Sequence, residues 1–302
     1  MGTHEYKEDP RNNNVFISIN GKLVPRDEAR ISVFDAGFLL GDGVWESFRL
    51  HNGVLVFIEE HLDRLFRGAE AISLDPGRSR LQIMGEIERV VKLNEMNDDV
   101  HIRLILSRGE KPTPYQAPWV ISSEPTLVII PEYKKSNPNR AIEGISLVPV
   151  GIRRGGPEIQ DPRINSLSKH NCIAACIEAS ERGADEGLML DPNGFVSTCN
   201  STHFFIVKDG EVWTSTGEYC LDGITRRKVL EICESNGIKS FERNFTLEDV
   251  RQADEAFVTG TFAGLTPVVS FEGEIFSGGS RGPMCELLQE LYISLVLEEC
   301  SA

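Results

Sequence analysis

Four stretches of this chain bring together residue types that chemistry uses. In His61-Leu62-Asp63-Arg64-Leu65 an arginine lies among apolar residues that recur at helical spacing, at Leu62, Leu65, Phe66, Ala69 and Ile72. Leu221-Asp222-Gly223-Ile224-Thr225-Arg226 is a glycine turn, then a threonine, then a helical pattern. The start of such a helix presents unpaired N–H groups and a hydroxyl, which suit a phosphate. Val258-Thr259-Gly260-Thr261-Phe262-Ala263 reads as a strand ending in a second Gly/Thr turn. Two such turns and one arginine could grip a single phosphate from three sides. The fourth stretch is Ile164-Asn165-Ser166-Leu167-Ser168-Lys169-His170-Asn171, followed by a helix and then Ala184-Asp185-Glu186-Gly187-Leu188-Met189-Leu190-Asp191. A solvated arginine and a threonine cap without a ligand are the plainer readings of the same residues.

The elements that must position these groups follow from turn chemistry and period. Asn20-Gly21 between Val15–Ile19 and Lys22–Pro25 signals a hairpin, and Phe48–Leu50, His51-Asn52-Gly53 and Val54–Phe57 repeat the pattern. Helices are expected over Ile58–Ile72 and about Arg78–Leu93, with strands over Val100–Ser107 and Thr126–Pro131. Mixed strands with packed helices suggest an α+β domain over residues 15–133, preceded by a flexible lead-in over 1–14. Residues 134–142 are charged and turn-rich and read as a linker. Beyond it lie a strand over Ile145–Val150, a helix over Ser168–Arg182, and short strands at Leu188–Leu190, Phe204–Val207 and Glu211–Trp213. The Asn193-Gly194 and Asp209-Gly210 turns join these short strands, and helices from about Thr225 and Pro283 close the chain. That pattern suggests a barrel-like second domain over residues 143–302 with helices outside.

Composition narrows the partners. Lys+Arg 31 against Asp+Glu 46 gives a formal charge of −15, which disfavours duplex nucleic acid or an anionic membrane surface as the main partner. Any anionic ligand must therefore be held by local positive groups. No apolar run approaches a membrane span, and Met1–Asn14 carries no apolar secretory segment, so a cytoplasmic location is expected. Tyr6 stands where N-myristoylation expects Ser or Thr. Seven scattered cysteines read as free thiols, and Cys172 and Cys176, one helical turn apart, find no His or Cys cluster to complete a metal site.

The order of these motifs resembles the class IV (fold type IV) pyridoxal-phosphate enzymes, the group of branched-chain aminotransferases, D-amino-acid aminotransferases and aminodeoxychorismate lyases. The likeness covers nearly the whole chain. It includes Phe34-Asp35-Ala36-Gly37-Phe38-Leu39-Leu40-Gly41-Asp42-Gly43-Val44-Trp45-Glu46, the His61/Arg64 helix, Gly223-Ile224-Thr225, and Ala253–Phe257 through Gly260-Thr261 to Leu265-Thr266-Pro267-Val268. The resemblance implies a small α/β domain, a larger pseudo-barrel domain, and a homodimer with the cofactor in an interdomain cleft. It implies amino-group transfer between a small amino acid and a 2-oxo acid. By the same likeness Arg64, Ile224, Thr225 and Thr261 would bind the cofactor phosphate. Arg49, Arg103 and Trp45 would meet the substrate, an arginine fork suiting a carboxylate.

Two positions depart from the family. Its chemistry needs a lysine that forms a Schiff base and shuttles a proton. Counting back from Asp185-Glu186 without gaps, that position holds Asn165, whose amide is not nucleophilic. Lys169 lies four residues on, about one helical turn and roughly 5–6 Å away at Cβ if the segment is helical, and is the candidate substitute. Relatives carry a glutamate against the pyridine nitrogen where this chain has Thr198, which can hydrogen-bond but brings no charge. His170 falls near the position of a tyrosine that meets the ring hydroxyl, and Leu40 departs from a substrate-contacting tyrosine of some relatives. The chain is therefore expected to be an aminotransferase using Lys169. The alternative is a lysine-deficient relative that binds the cofactor non-covalently or does cofactor-independent chemistry. A purely structural module would leave the Gly/Thr turns unexplained.

Overall fold

Period-two alternation along residues 43–51 sets the first sheet. In the computed structural model, which describes Lys7–Ser301, this segment is a strand that buries Val44, Glu46, Phe48 and Leu50 and leaves Trp45, Ser47, Arg49 and His51 half-buried on the other face. The chain divides into two compact units, Lys7–Lys135 with Ile164–Ser168, and Ser136–Arg163 with Lys169–Ser301. The first contains β1 (Phe16–Ile19), β2 (Lys22–Pro25), α1 (Ala36–Leu40), β3 (Gly43–His51), β4 (Val54–Leu55), α2 (Ile58–Ala71), α3 (Arg80–Leu93), β5 (Val100–Ser107) and β6 (Thr126–Tyr133). Its strands form one antiparallel sheet in the order β2-β1-β6-β5-β3-β4.

The apolar stripe of α2 and that of α3 cover one face of this sheet. Leu62, Leu65, Ala69, Ile83, Ile87 and Val90 bury against Phe48, Leu50, Ile102, Leu104 and Ile129. Each large side chain among them contributes about 1.5–3 kcal/mol by leaving water. α3 begins at a capping box in which Ser79 and Gln82 exchange hydrogen bonds. Gly43 is a close-approach position, since a Cβ there would lie 2.4 Å from the Leu106 carbonyl oxygen.

The lead-in expected to be flexible over residues 1–14 is fixed toward its end. Pro10–Asn14 form a 3-10 turn capped by Asp9, and the Asn12 amide exchanges two hydrogen bonds with the backbone of Tyr133, at 2.9 and 2.8 Å. The part over residues 1–6 lies outside the described residues. Residues 164–168, which the distance given for Lys169 required to be helical, are not helical and join the edge of β3 through an antiparallel bridge between Val44 and Ser166.

The second unit contains α4 (Arg140–Glu143), β7 (Ile145–Pro149), α5 (Pro157–Gln160), α6 (His170–Glu181), β8 (Glu186–Leu190), β9 (Val196–Cys199), β10 (His203–Lys208) and β11 (Glu211–Thr214). α7 (Ile224–Ser235), β12 (Ser240–Glu242), α8 (Leu247–Arg251), β13 (Glu255–Gly260), β14 (Gly264–Phe271), β15 (Glu274–Ile275) and α9 (Pro283–Glu299) complete it. Its mixed sheet runs β12-β11-β10-β13-β14-β7-β8-β9, with β15 on β14. β9 lies at one end of that order yet is joined to β10 by only Asn200-Ser201-Thr202, and Cys199 N donates to Thr202 O at 2.9 Å. The sheet must therefore curl, and it forms a half-barrel.

Alternate residues of the same strands serve two cores. Phe204, Ile206 and Val258 pack with Leu147, Leu188 and Phe271 on one side of the sheet. Phe205, Val207 and Phe257 pack under Val229 of α7 and Leu288 of α9 on the other. The buried Glu255 caps α9, accepting from Met284 N and Cys285 N at 2.9 Å each. The overall architecture is the α+β fold expected of fold type IV.

Candidate functional site

In the second unit the glycine turn before α7 is pinned from beneath. His203 Nε2 donates to Leu221 O at 2.7 Å, and a Cβ on Gly223 would fall 2.3 Å from His203 Cε1. Only glycine at 223 lets the imidazole lie against this turn. Gly223 gives α7 no side-chain cap, no side-chain acceptor for the first-turn N–H groups of Ile224 and Thr225 is found among the described residues, and both residues are buried. α7 packs on β13, whose hairpin turn to β14 carries the half-buried Thr261. A buried, uncapped helix start that carries the Thr225 hydroxyl favours an anion.

Thr198, on β9, is buried and already committed. Its Oγ1 donates to Thr202 O at 2.8 Å, and Thr202 Oγ1 donates to Glu186 Oε2 at 2.7 Å. Burial and the adjacent Glu186 carboxylate push the Cys199 thiol well up. Lys169 is the half-buried N-cap residue of α6, and His170 begins that helix exposed to solvent.

In the first unit the two faces of β3 separate two groups. On the α2 side Glu46 accepts from Arg64 Nε and Nη2 at 2.7 Å each and faces His61 Nδ1 at 2.7 Å, with Glu46 and His61 fully buried. Burial alone would raise the Glu46 carboxyl, but the Arg64 guanidinium and the His61 hydrogen bond outweigh it and hold the group at about 2. Burial, stronger than the pull of Glu46, lowers the pKa of His61. Glu46 and its partnership with Arg64 were missed by sequence reasoning. The signal was present, because Glu46 falls in phase with Val44, Phe48 and Leu50 on the apolar face.

The opposite face carries the other candidates. Ser47 pairs with Arg103 and Trp45 with Ile105 across β3 and β5, and the Arg103 guanidinium stacks on the Trp45 ring, 3.8 Å from its centroid. Arg103 has no hydrogen-bond or ion-pair acceptor among the described residues, and burial lowers its pKa. Arg49 instead makes an ion pair with Asp99, Nη2 to Oδ1 at 3.8 Å. It stands four residues from Trp45, about 13 Å along the strand. Arg103, opposite Ser47, is a diagonal neighbour of both Trp45 and Arg49 on this face; its guanidinium stacks on Trp45, while Arg49 turns to Asp99.

Asn165 is tied to the same edge. Trp45 N donates to Asn165 O at 2.9 Å, Leu167 N donates to Gly43 O at 3.0 Å, and Trp45 Nε1 donates to Ser166 O at 3.1 Å. The Val44–Ser166 bridge sets Asn165 opposite Trp45, on the face that carries Arg103. The non-helical backbone here corrects the expectation that Lys169 lies one helical turn from Asn165. The two residues belong to different compact units.

The fit to pyridoxal phosphate is uneven. The start of α7 offers what a phosphate needs. Asn165 offers a carboxamide where Schiff-base chemistry needs an amine, and Thr198 has given its only proton to a backbone carbonyl.

Comparison with known proteins agrees with this architecture. The sequence pattern of the family described as Amino-transferase class IV matches residues 43–271. The chain is 37% identical over 286 residues to branched-chain-amino-acid aminotransferase-like protein 1 of Arabidopsis thaliana, covering 95% of this chain and 51% of that one, so it spans about half the length of that relative. It is 30% identical to a D-alanine aminotransferase of Listeria monocytogenes, covering 94% and 97% of the two chains. The branched-chain aminotransferase of the thermophilic archaeon Thermoproteus uzoniensis, solved with norvaline, superimposes with a TM-score of 0.85 at 28% identity, over 94% of this chain and 95% of that one. The chain belongs to the class IV aminotransferase family.

Proposed function

We propose that this chain binds pyridoxal phosphate and transfers an amino group between a small amino acid and a 2-oxo acid. The observation that carries the reading is the buried, uncapped start of α7 within a class IV aminotransferase fold. When bound, the cofactor supplies an electron sink for bonds at the amino acid Cα. The first-turn N–H groups of Ile224 and Thr225, the hydroxyls of Thr225 and Thr261, and Arg64 bind the phosphate, and Glu46 holds the Arg64 guanidinium in one orientation. Arg103 takes the substrate carboxylate, braced by Trp45. Lys169 is the amine this reading requires for covalent attachment and proton transfer. A homodimer is part of the proposal, supported by the resemblance and by apolar side chains such as Phe38 and Trp119 that stand open to solvent. A cytoplasmic setting is supported by seven free thiols.

The carboxamide of Asn165, whose Oδ1 is buried without a partner among the described residues, favours a second reading, in which the same residues hold the cofactor without a covalent bond. Reconstitution with pyridoxal phosphate, borohydride reduction and peptide mapping separates the two. An adduct at Lys169, with conversion of a branched-chain amino acid or D-alanine to its 2-oxo acid, supports transfer. Saturable binding with no adduct supports the non-covalent form, and no binding contradicts both.

A further inference from the structure

Asn165 carries a hydrogen-bond acceptor that no described residue uses. The residue is 5% exposed, and its side-chain Oδ1 is buried without a partner among the described residues. Its carbonyl accepts from Trp45 N, and Leu167, two residues on, donates to Gly43 O, so the residue is held at the β3 edge. A buried carbonyl oxygen left unpaired is unfavourable, which points to a donor supplied from outside the chain.

We infer that Asn165 makes this chain select the amine form of its cofactor, pyridoxamine phosphate, over the aldehyde form. The inference rests on the non-covalent reading above. A carboxamide has no basic nitrogen, so the aldehyde gains no covalent bond at this position. The amine form brings N–H donors, charged at neutral pH, and Oδ1 lacks one. The aldehyde oxygen is itself an acceptor and leaves Oδ1 unpaired. A donor that fills a buried acceptor is worth more than one that exchanges with water, so the preference is built into the residue itself.

The test measures dissociation constants of the full chain for pyridoxamine phosphate and pyridoxal phosphate by fluorescence titration, for the wild type, Asn165→Asp and Asn165→Leu. The expected wild-type preference for the amine form is about tenfold, the worth of one hydrogen bond to a charged group. Asn165→Asp, which keeps the acceptor and adds charge, widens the preference, and Asn165→Leu removes it. If circular dichroism shows Asn165→Leu unfolded, the Asn165→Asp comparison decides alone. Equal affinities, a preference for the aldehyde, or a preference unmoved by either substitution overturns the inference while cofactor binding stands. A stoichiometric borohydride-fixed adduct at Lys169 overturns it together with the non-covalent reading. Binding of neither form removes the cofactor reading, and this inference with it.

Discussion

Glu46 and His61 show how two buried groups set an acid limit on stability. Both have folded-state pKa values below their ordinary ones, Glu46 at about 2 against 4.5 and His61 below 6.5. The unfolded chain therefore binds more protons than the folded chain in acid. Each group contributes stability that is complete above its unfolded value and is lost as the pH falls. The urea midpoint is expected to hold above pH 7, to decline below about 6.5 as unfolded His61 takes up its proton, and to fall more steeply below about 4.5. His61→Gln should flatten the first decline and leave the second. A wild-type midpoint that stays level from about pH 7 to 5 would contradict the part given to His61. Removing the carboxylate instead, with Glu46→Leu, strands the Arg64 charge in the core and should destabilise by about 3–5 kcal/mol.

Elements decide which of the candidate residues can act together. β3 and β5 present Arg103, Trp45 and Arg49 on one face, where Arg103 stacks on Trp45 and Arg49 is ion-paired with Asp99. Arg103→Ala should weaken binding of a 2-oxo acid about 10–100-fold in a direct titration, the worth of a charge-assisted contact, with a stability change of only about 1 kcal/mol from the lost stacking on Trp45. Arg49→Ala should leave that affinity within about twofold. Equal losses in the two variants would remove the distinction drawn from the sheet. The α7 turn gives a second case. Gly223→Ala drives a Cβ into the His203 ring, and is expected to lose about 1–3 kcal/mol in urea unfolding and to weaken pyridoxal phosphate binding. Unchanged binding in a destabilised variant would separate the turn from the site.

The same elements show what could be read in advance. Strong periods and turns were legible: the helix expected over residues 58–72 is α2, and the Asn20-Gly21 hairpin is β1 and β2. The α7 turn and the Gly260-Thr261 turn were also legible, because glycine and threonine act locally there. The addition of residues 164–168 to β3 was not, since an edge pairing between residues more than a hundred positions apart leaves no local pattern. That pairing fixes the backbone of Asn165 and takes the Lys169 stand-in out of helical register. The pairing of Arg49 with Asp99 and the bond of the Thr198 hydroxyl to Thr202 were equally hidden, because sequence names a donor but not its acceptor.

Over the whole molecule, 15 excess negative charges oppose any phosphorylated ligand, so binding must come from short-range donors rather than the long-range field. The place proposed for the ligand's phosphate is the first turn of α7. A crystal structure of the chain grown with pyridoxamine phosphate tests this most directly. The phosphate is expected within hydrogen-bond distance of the Ile224 and Thr225 amides. A phosphate bound elsewhere, or no ligand at saturating concentration, would contradict that placement.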